Sequence, residues 1–321
     1  MNKNMTLASA VGLALVAVGT ACVKAGASEP MAGATPSEAP ATLTSNAPAK
    51  KVNAFYIGHS LMSDIPDMVG ALAGDSFQFK EQFIPGAPLR WQWDEPTRNP
   101  QPGDQFRGVY DKMITAQTTH LVMIDSVPRG DEGSLKESID YAGRFLKFAR
   151  SKNPQVAAYF YEPWHDITSG TPQRSQYDTA SPTRELRWRP RIKADREKWD
   201  RVVADVNRAN PGAVPMKLIP ATTALGELSD AIDAGQVPGV RTMRELYDDT
   251  IHLTPLGKYF VAMVHYRALF GDLPATVPVQ IKGRWGSPYW DTKDWAGKTW
   301  PAPKPETVAA LCKVAMGVKM P

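Results

Sequence analysis

The sequence holds very little cysteine, with Cys22 and Cys312 the only two among its 321 residues. Two thiols cannot build a disulfide framework or a thiolate metal cluster. If an N-terminal signal that carries Cys22 is removed, no intramolecular disulfide can form. Cys312 is then expected to be a small apolar side chain packed in a helix (VAALCKVAM). The sequence predicts neither a metal nor a cofactor.

Net charge is also nearly absent, since 37 Lys and Arg face 33 Asp and Glu, a formal charge of +4. This balance does not indicate a nucleic-acid partner. The basic segment 184–201 is more typical of a solvated helix face than of an anion-binding patch. The apolar run at 7–18 is shorter than the roughly twenty residues that a membrane span needs, so no span is expected once a signal is removed.

The N-terminal residues have the pattern of a secretory signal. Lys3 is followed by the apolar run and then by small residues, which predicts a signal peptide over 1–27, cleaved after Ala25 or Ala27. The protein is therefore expected to be exported to the periplasm or the medium. A lipoprotein modified at Cys22 is the alternative, and it is the less favoured one because GTAC has glycine where such sites carry a branched apolar residue.

The remainder of the chain divides into two parts. Residues 28–50 are rich in Ala, Pro, Ser and Thr and cannot bury enough surface to fold, which indicates a disordered linker. Residues 51–321 form one domain, with a Trp-rich extension from about 276. In the extension, the Trp residues of 285–300 are expected to anchor a wrapping tail.

Apolar runs of strand length alternate with helical patterns in the domain. The strand-like runs are 52–57, 77–84, 120–124, 155–161 and 215–221. The helical patterns cover 64–73, 106–116, 132–152, 192–210, 225–234 and 255–270. This alternation predicts an α/β fold with a mostly parallel sheet covered on both faces, in which a ligand binds at the carboxyl ends of the strands.

A serine stands at that edge of the predicted sheet. The stretch FYIGHSL ends a strand on Ser60, and a serine hydroxyl becomes a nucleophile only beside a base that is itself oriented. His252 precedes a helix that begins at Pro255 with Thr254 as N-cap, and Asp249 lies three residues before it. In a loop this spacing lets the carboxylate reach the ring. His59 is a weaker candidate base, and Asp248 is the alternative orienting group.

These blocks, IGHSL at 57–61 and DTIHL at 249–253, resemble those of the SGNH (GDSL-like) serine esterases. The resemblance implies a flavodoxin-like three-layer α/β/α sandwich with Ser60, His252 and Asp249 as the catalytic residues. It also implies an oxyanion hole that uses the backbone N–H groups of Ser60 and of Gly86 in IPGAPL. It spans roughly residues 52–275.

One block departs from the family pattern. The third block of the family reads Gly-x-Asn-Asp, and its asparagine donates to the oxyanion, whereas this sequence has VMIDSVPRGD at 122–131. Asp125 cannot donate when ionised, and Ser126 could. Loss of one oxyanion donor can cost about 100- to 1000-fold in rate.

Three tryptophans lie near the expected mouth of the site. Trp91 and Trp93 follow the predicted oxyanion glycine, and Trp164 follows the fourth strand, so each could bind a sugar or acyl group or pack a loop onto the sheet. The sequence does not indicate the oligomeric state.

The favoured function is an exported serine esterase that cleaves small acyl groups, such as acetyl, from a carbohydrate. Another small-molecule ester remains open. The alternative is an inactive binding module for envelope glycans on the same fold, which the missing asparagine motivates. A hydrolytic metal site is a poorer hypothesis, because no third ligand accompanies Asp249 and His252 at a suitable spacing.

Overall fold

The computed structural model describes residues 50–98, 105–127, 129–174, 181–294 and 296–320, and the backbone of 19–21. Most of the predicted signal peptide and nearly all of the predicted linker lie outside these residues. Among the described residues, no helix combines the length and the apolar character needed to cross a bilayer.

The centre of the domain is a five-stranded parallel sheet. Its strands are β2 (Val52–Gly58), β3 (Phe77–Phe83), β4 (His120–Met123), β5 (Ala157–Tyr161) and β6 (Lys217–Ile219). Their order is β3-β2-β4-β5-β6, with all four pairings parallel. This is the flavodoxin-like order, and it confirms the predicted fold class. The order reverses between β2 and β4, so this kind of sheet has its ligand crevice beyond the ends of those two strands.

Helices cover both faces of the sheet. They are α1 (Ile65–Ala73), α2 (Leu89–Asp94), α3 (Tyr110–Met113), α4 (Glu132–Lys152), α5 (Trp188–Ala209), α6 (Ala221–Asp233), α7 (Pro255–Phe270) and α8 (Pro305–Gly317). Successive side chains of a strand point to opposite faces, and in β2 Tyr56 joins the core under α1 and α7 whereas Phe55 and Ile57 join the core under α4. The two cores make three layers.

One predicted helix is mostly wrong. The pattern at 106–116 forms only the four-residue helix α3, because the chain before it runs beside the edge strand β3. The N–H of Glu81 donates to Phe106 O at 2.7 Å, and Gly108 N–H donates to Glu81 O at 3.0 Å. Pairing with the sheet edge therefore replaces the first helical turns.

A short N-terminal strand and the C-terminal extension meet on the α7 side of the molecule. Strand β1 (Gly19–Ala21) pairs antiparallel with β7 (Thr276–Pro278), and α8 lies against it. Cys312 of α8 is buried and is disulfide-bonded in the uncleaved chain; that it is unpaired once the signal is removed stays a prediction. Cys22, the other cysteine of the sequence, lies outside the described residues. An intrachain bond requires Cys22 and cannot exist after cleavage at Ala25 or Ala27.

The C-terminal extension is held to the domain by an aromatic contact. Trp290 is 1% exposed, packs edge-on against Tyr259 of α7, and donates its indole N–H to Val279 O at 2.9 Å. Trp285 of the same segment is 71% exposed. Trp290 therefore anchors this segment to helix α7.

Candidate active site

Ser60 occupies the turn that leaves the carboxyl end of β2. The strand ends at Gly58, where a Cβ would lie 2.4 Å from the Ile124 side chain at the end of β4, so this position accepts only glycine without rearrangement. Ser60 then opens a short 3₁₀ turn, Ser60–Met62. The hydroxyl is therefore placed beyond the ends of β2 and β4, at the reversal of strand order.

The structure brings Ser60, His252 and Asp249 together in one chain of hydrogen bonds. His252 Nε2 lies 2.9 Å from Ser60 Oγ, and His252 Nδ1 lies 2.7 Å from Asp249 Oδ2. A carboxylate can only accept, so Nδ1 carries the proton and Nε2 is left to accept the serine hydroxyl. This is the tautomer that a general base for Ser60 needs.

Asp249 is held ionised by its surroundings. Its partial burial would raise the pKa, but the hydrogen bonds from the His252 ring and from the N–H groups of His252 and Ile251 outweigh that effect, and the pKa of Asp249 is lowered. The two N–H groups lie 2.6 Å and 2.8 Å from Oδ1. One carboxylate oxygen therefore shapes the loop and the other orients the ring.

The loop that carries this pair, residues 247–254, ends in a well-defined helix start. Thr254 is the N-cap of α7, its Oγ accepting from Gly257 N–H at 3.4 Å, and Pro255 occupies the first helical turn. The loop closes on itself through Asp248 N–H to His252 O at 2.8 Å. We call residues 247–254 the acid–base loop.

The segment after β5 supports the acid–base loop from the other side. Trp164 donates its indole N–H to Ile251 O at 2.6 Å, and Thr250 donates its hydroxyl to Asp166 Oδ2 at 2.8 Å. Trp164 is 1% exposed, so its ring is not open to a ligand. The prediction of Trp164 as a substrate-binding residue is corrected accordingly, because the side chain positions the loop that carries His252.

The other two predicted tryptophans lie on α2 with different surroundings. Trp93 stacks on Tyr110 at 4.9 Å and meets the edges of Phe145 and Phe148, so it packs α2 and α3 onto α4. Trp93 is only partly buried, like Trp91, and its ligand role stays a prediction. Trp91 is half-buried with the Arg98 guanidinium 4.0 Å from its ring centroid, and its ligand role stays a prediction.

Two backbone N–H groups are available to an oxyanion. Gly86 has φ +64 in the turn that Ala87 N–H closes on Ile84 O, with Pro85 before it, which is the residue pattern of a type II turn. Within the described part of the chain, neither Gly86 N–H nor Ser60 N–H is bonded to an acceptor. Their use by an oxyanion stays a prediction.

The residue at the position of the missing asparagine is an acceptor. Asp125 is fully buried, and its carboxylate accepts hydrogen bonds from Leu89 N–H at 2.9 Å and from Ser138 Oγ at 2.6 Å. Ser126 donates its backbone N–H to the same carboxylate at 2.7 Å. An oxyanion role for the Ser126 hydroxyl stays a prediction. The sequence indicated that Asp125 cannot donate, but it did not indicate what Asp125 binds.

The remaining histidines near the sheet are buried. His265 is 0% exposed between the rings of Tyr56 and Tyr161, and burial lowers its pKa to about 3. His120 stacks on Tyr159. Within the described ranges, no group of three or more His, Cys, Asp or Glu side chains is arranged to hold a metal ion.

Comparison with known proteins finds similarity in structure. No protein-family model matches the chain, and no curated protein matches it. A DUF4886 family protein from Bacteroides uniformis aligns at 15% identity with a TM-score of 0.47, covering 84% of this chain and 94% of that one.

Two proteins described as hydrolases align less closely. They are a carbohydrate esterase family 3 protein from Talaromyces cellulolyticus (12% identity, TM-score 0.40, 67% of this chain and 95% of that one) and the lipase/acylhydrolase from Enterococcus faecalis (14%, 0.37, 70% and 98%). The strand order is that of a flavodoxin-like α/β/α sandwich, and Ser60 and His252 meet where that order reverses. The function is inferred from the geometry of the site.

Proposed function

We propose that this protein is a serine esterase of the SGNH type that hydrolyses small acyl esters, with Ser60 as nucleophile, His252 as general base and Asp249 as its orienting group. The observation that carries the proposal is the continuous hydrogen-bonded chain from Ser60 Oγ through both ring nitrogens of His252 to Asp249. A serine, a histidine and an aspartate in this order and geometry form an arrangement that activates a hydroxyl as a nucleophile.

The proposed reaction has two halves. Ser60 Oγ attacks the acyl carbonyl while His252 Nε2 takes the hydroxyl proton, and the resulting oxyanion accepts from the N–H groups of Ser60 and Gly86. Collapse expels the alcohol, which takes the proton from His252, and leaves an acyl-serine. Water then loses a proton to His252, attacks the acyl carbon, and releases the carboxylic acid as Ser60 regains its proton.

The exposure of the acid–base pair leaves room for a large alcohol half in the substrate. The side chains of His252 and Asp249 are 40% and 55% exposed, so the alcohol half of a substrate can extend into solvent beside them. An acetyl group on a carbohydrate has this form. The proposed export rests on the N-terminal signal pattern alone.

Hydrolysis of p-nitrophenyl acetate in the presence of EDTA tests the proposal. We expect turnover by the parent, labelling of the parent by a fluorophosphonate probe, and loss of both in Ser60→Ala with an unchanged circular dichroism spectrum. Labelling of the Ala variant equal to the parent would show that Ser60 is the wrong residue. Loss of turnover on chelation would favour a metal site.

A second function has one observation in its favour. Asp125, where the family has an oxyanion donor, is an acceptor, which suits a fold that binds without turnover. A parent that neither hydrolyses esters nor reacts with the probe, yet binds acetylated glycans by calorimetry, would make this a binding module.

A further inference from the structure

Asp125 touches both walls of the proposed oxyanion hole through different atoms. Its carboxylate Oδ1 accepts from Leu89 N–H at 2.9 Å, three residues after Gly86. Its main-chain carbonyl lies 3.0 Å from Nε2 of His59, the residue before Ser60. One fully buried residue therefore joins the turn that carries Gly86 N–H to the turn that carries Ser60 N–H.

The His59 contact has a defined polarity. The main-chain carbonyl of Asp125 can only accept, so the Nε2 of His59 carries the proton. His59 Nδ1 is then free to accept from Leu61 N–H at 3.4 Å, a long contact. Burial of the ring lowers the pKa of His59, which favours this neutral form.

A buried carboxylate beside a developing oxyanion needs its charge balanced. The Arg129 guanidinium supplies the balance, with Nη2 3.2 Å from Asp125 Oδ1 and Nη1 2.8 Å from Glu137 Oε1. Glu137 in turn pairs with Arg90 of α2 at 3.0 Å. Charges of alternating sign therefore run from the end of β4 to the helix that follows the Gly86 turn. The buried Asp125 carboxylate is thus paired with Arg129, and Arg129 is paired with both Asp125 and Glu137.

The geometry points to Asp125 as the positioning residue of the oxyanion hole: by accepting from Leu89 N–H and from the His59 ring, it fixes the spacing between Gly86 N–H and Ser60 N–H. This inference rests on the proposed esterase function. The side chain acts on the turn that carries Gly86 and the main-chain carbonyl acts on the turn that carries Ser60, so Asp125 works through these two turns without touching substrate. The family pattern has a hydrogen-bond donor at this position. Here the residue is an acceptor, and it holds the two remaining donors, Ser60 N–H and Gly86 N–H, in place.

Two substitutions separate an acceptor role from a donor role. Asp125→Ala leaves Leu89 N–H, Ser126 N–H and Arg129 without the carboxylate that they contact. We measure kcat for p-nitrophenyl acetate per active site titrated with a fluorophosphonate. We expect this kcat to fall about 100-fold while KM stays within about threefold of the parental value. Asp125→Asn keeps an oxygen at Oδ1, while Ser138 Oγ can turn to Ser134 O, 3.1 Å away. Since an amide oxygen is a weaker acceptor than a carboxylate, we expect a kcat loss of about 3- to 10-fold.

Ser138→Ala is the matched control, because it removes only the Oδ2 partner and leaves Oδ1 in place. Its kcat should stay within about threefold of the parent. Asp125→Asn with a kcat at or above that of the parent would overturn the inference, since a donor would then serve better than an acceptor. Asp125→Ala at parental kcat per titrated site would do the same. If Asp125→Ala does not fold, the Asn variant alone decides.

Failure of this inference can be told from failure of the proposed function. If the protein is not an esterase, the parent itself shows neither turnover nor probe labelling. If only the role of Asp125 is wrong, the parent and Ser138→Ala are active and the Asp125 variants depart from the values given above.

Discussion

Replacement of Asp249 by Asn is the sharpest test of the acid–base loop. The carboxamide oxygen can keep both backbone N–H groups that Oδ1 accepts, so the loop can retain its shape. The amide NH₂ then faces His252 Nδ1 and donates to it. This forces the proton onto Nε2, and the ring can no longer accept from Ser60.

The size of the loss follows from the exposure of the pair. Two unit charges about 4 Å apart interact by about 1 kcal/mol in water and about 4 kcal/mol at an effective dielectric constant near 20. Asp249 is 55% exposed, so the lost stabilisation of the imidazolium lies between these limits. With the tautomer penalty added, we expect kcat to fall about 100- to 1000-fold, less than the roughly 10⁴-fold of the serine-protease triad, where the aspartate is buried.

The assay is p-nitrophenyl acetate hydrolysis over a range of pH, with Asp248→Asn as the matched control. Asp248 pairs with Lys298 at the surface, and its kcat should stay within about threefold of the parent. The reasoning is refuted if Asp248→Asn is the crippling change and Asp249→Asn is mild. If neither matters, His252 acts without an orienting carboxylate or the site is not catalytic.

Three further outcomes are expected. The stability that Asp249 contributes should be present above the ordinary carboxyl pKa and lost as the pH falls through its lowered pKa; a thermal-melt series of the parent and the Asp249→Asn variant measures this. Trp164→Phe keeps the buried ring but removes the indole donor to Ile251 O, so kcat should fall about tenfold with KM little changed, whereas equal kcat would assign Trp164 to packing alone. Intact mass should show that the exported protein begins near Gly26 or Ser28, and Cys312 should react with an alkylating reagent after denaturation. An unreactive Cys312 in a chain that keeps Cys22 would contradict this expectation. A diacylglyceryl group on Cys22 would indicate a lipoprotein.

Much of the fold was predictable because local signals and long-range packing agree. The helix over 132–152 has an acidic N-cap, Asp131, and a heptad-like apolar face, and the structure gives it the same bounds. The helix from Pro255 likewise begins where Thr254 and the proline predict. Pairing of residues 106–108 with an edge strand was not predictable, since it depends on which segment reaches β3 after folding.

The site also contains some contacts that the sequence predicts and others that depend on the folded chain. Asp249 and His252 share one short loop, so their contact follows from spacing. Ser60 could be placed beside them only through the parallel arrangement of the sheet. The burial of Trp164 and the acceptor role of Asp125 depend on neighbours brought from distant parts of the chain, and nothing in the residues around them signals either property.

The distance along the chain between the two halves of the site has a consequence for folding. Ser60 and His252 are 192 residues apart, and their contact requires the whole sheet and the docking of α7 on α1. Closing so long a loop is slow compared with forming local helices. During refolding from denaturant, far-UV ellipticity should therefore recover before esterase activity does. The delay between the two signals would report the time at which the last long-range contacts of the domain are made.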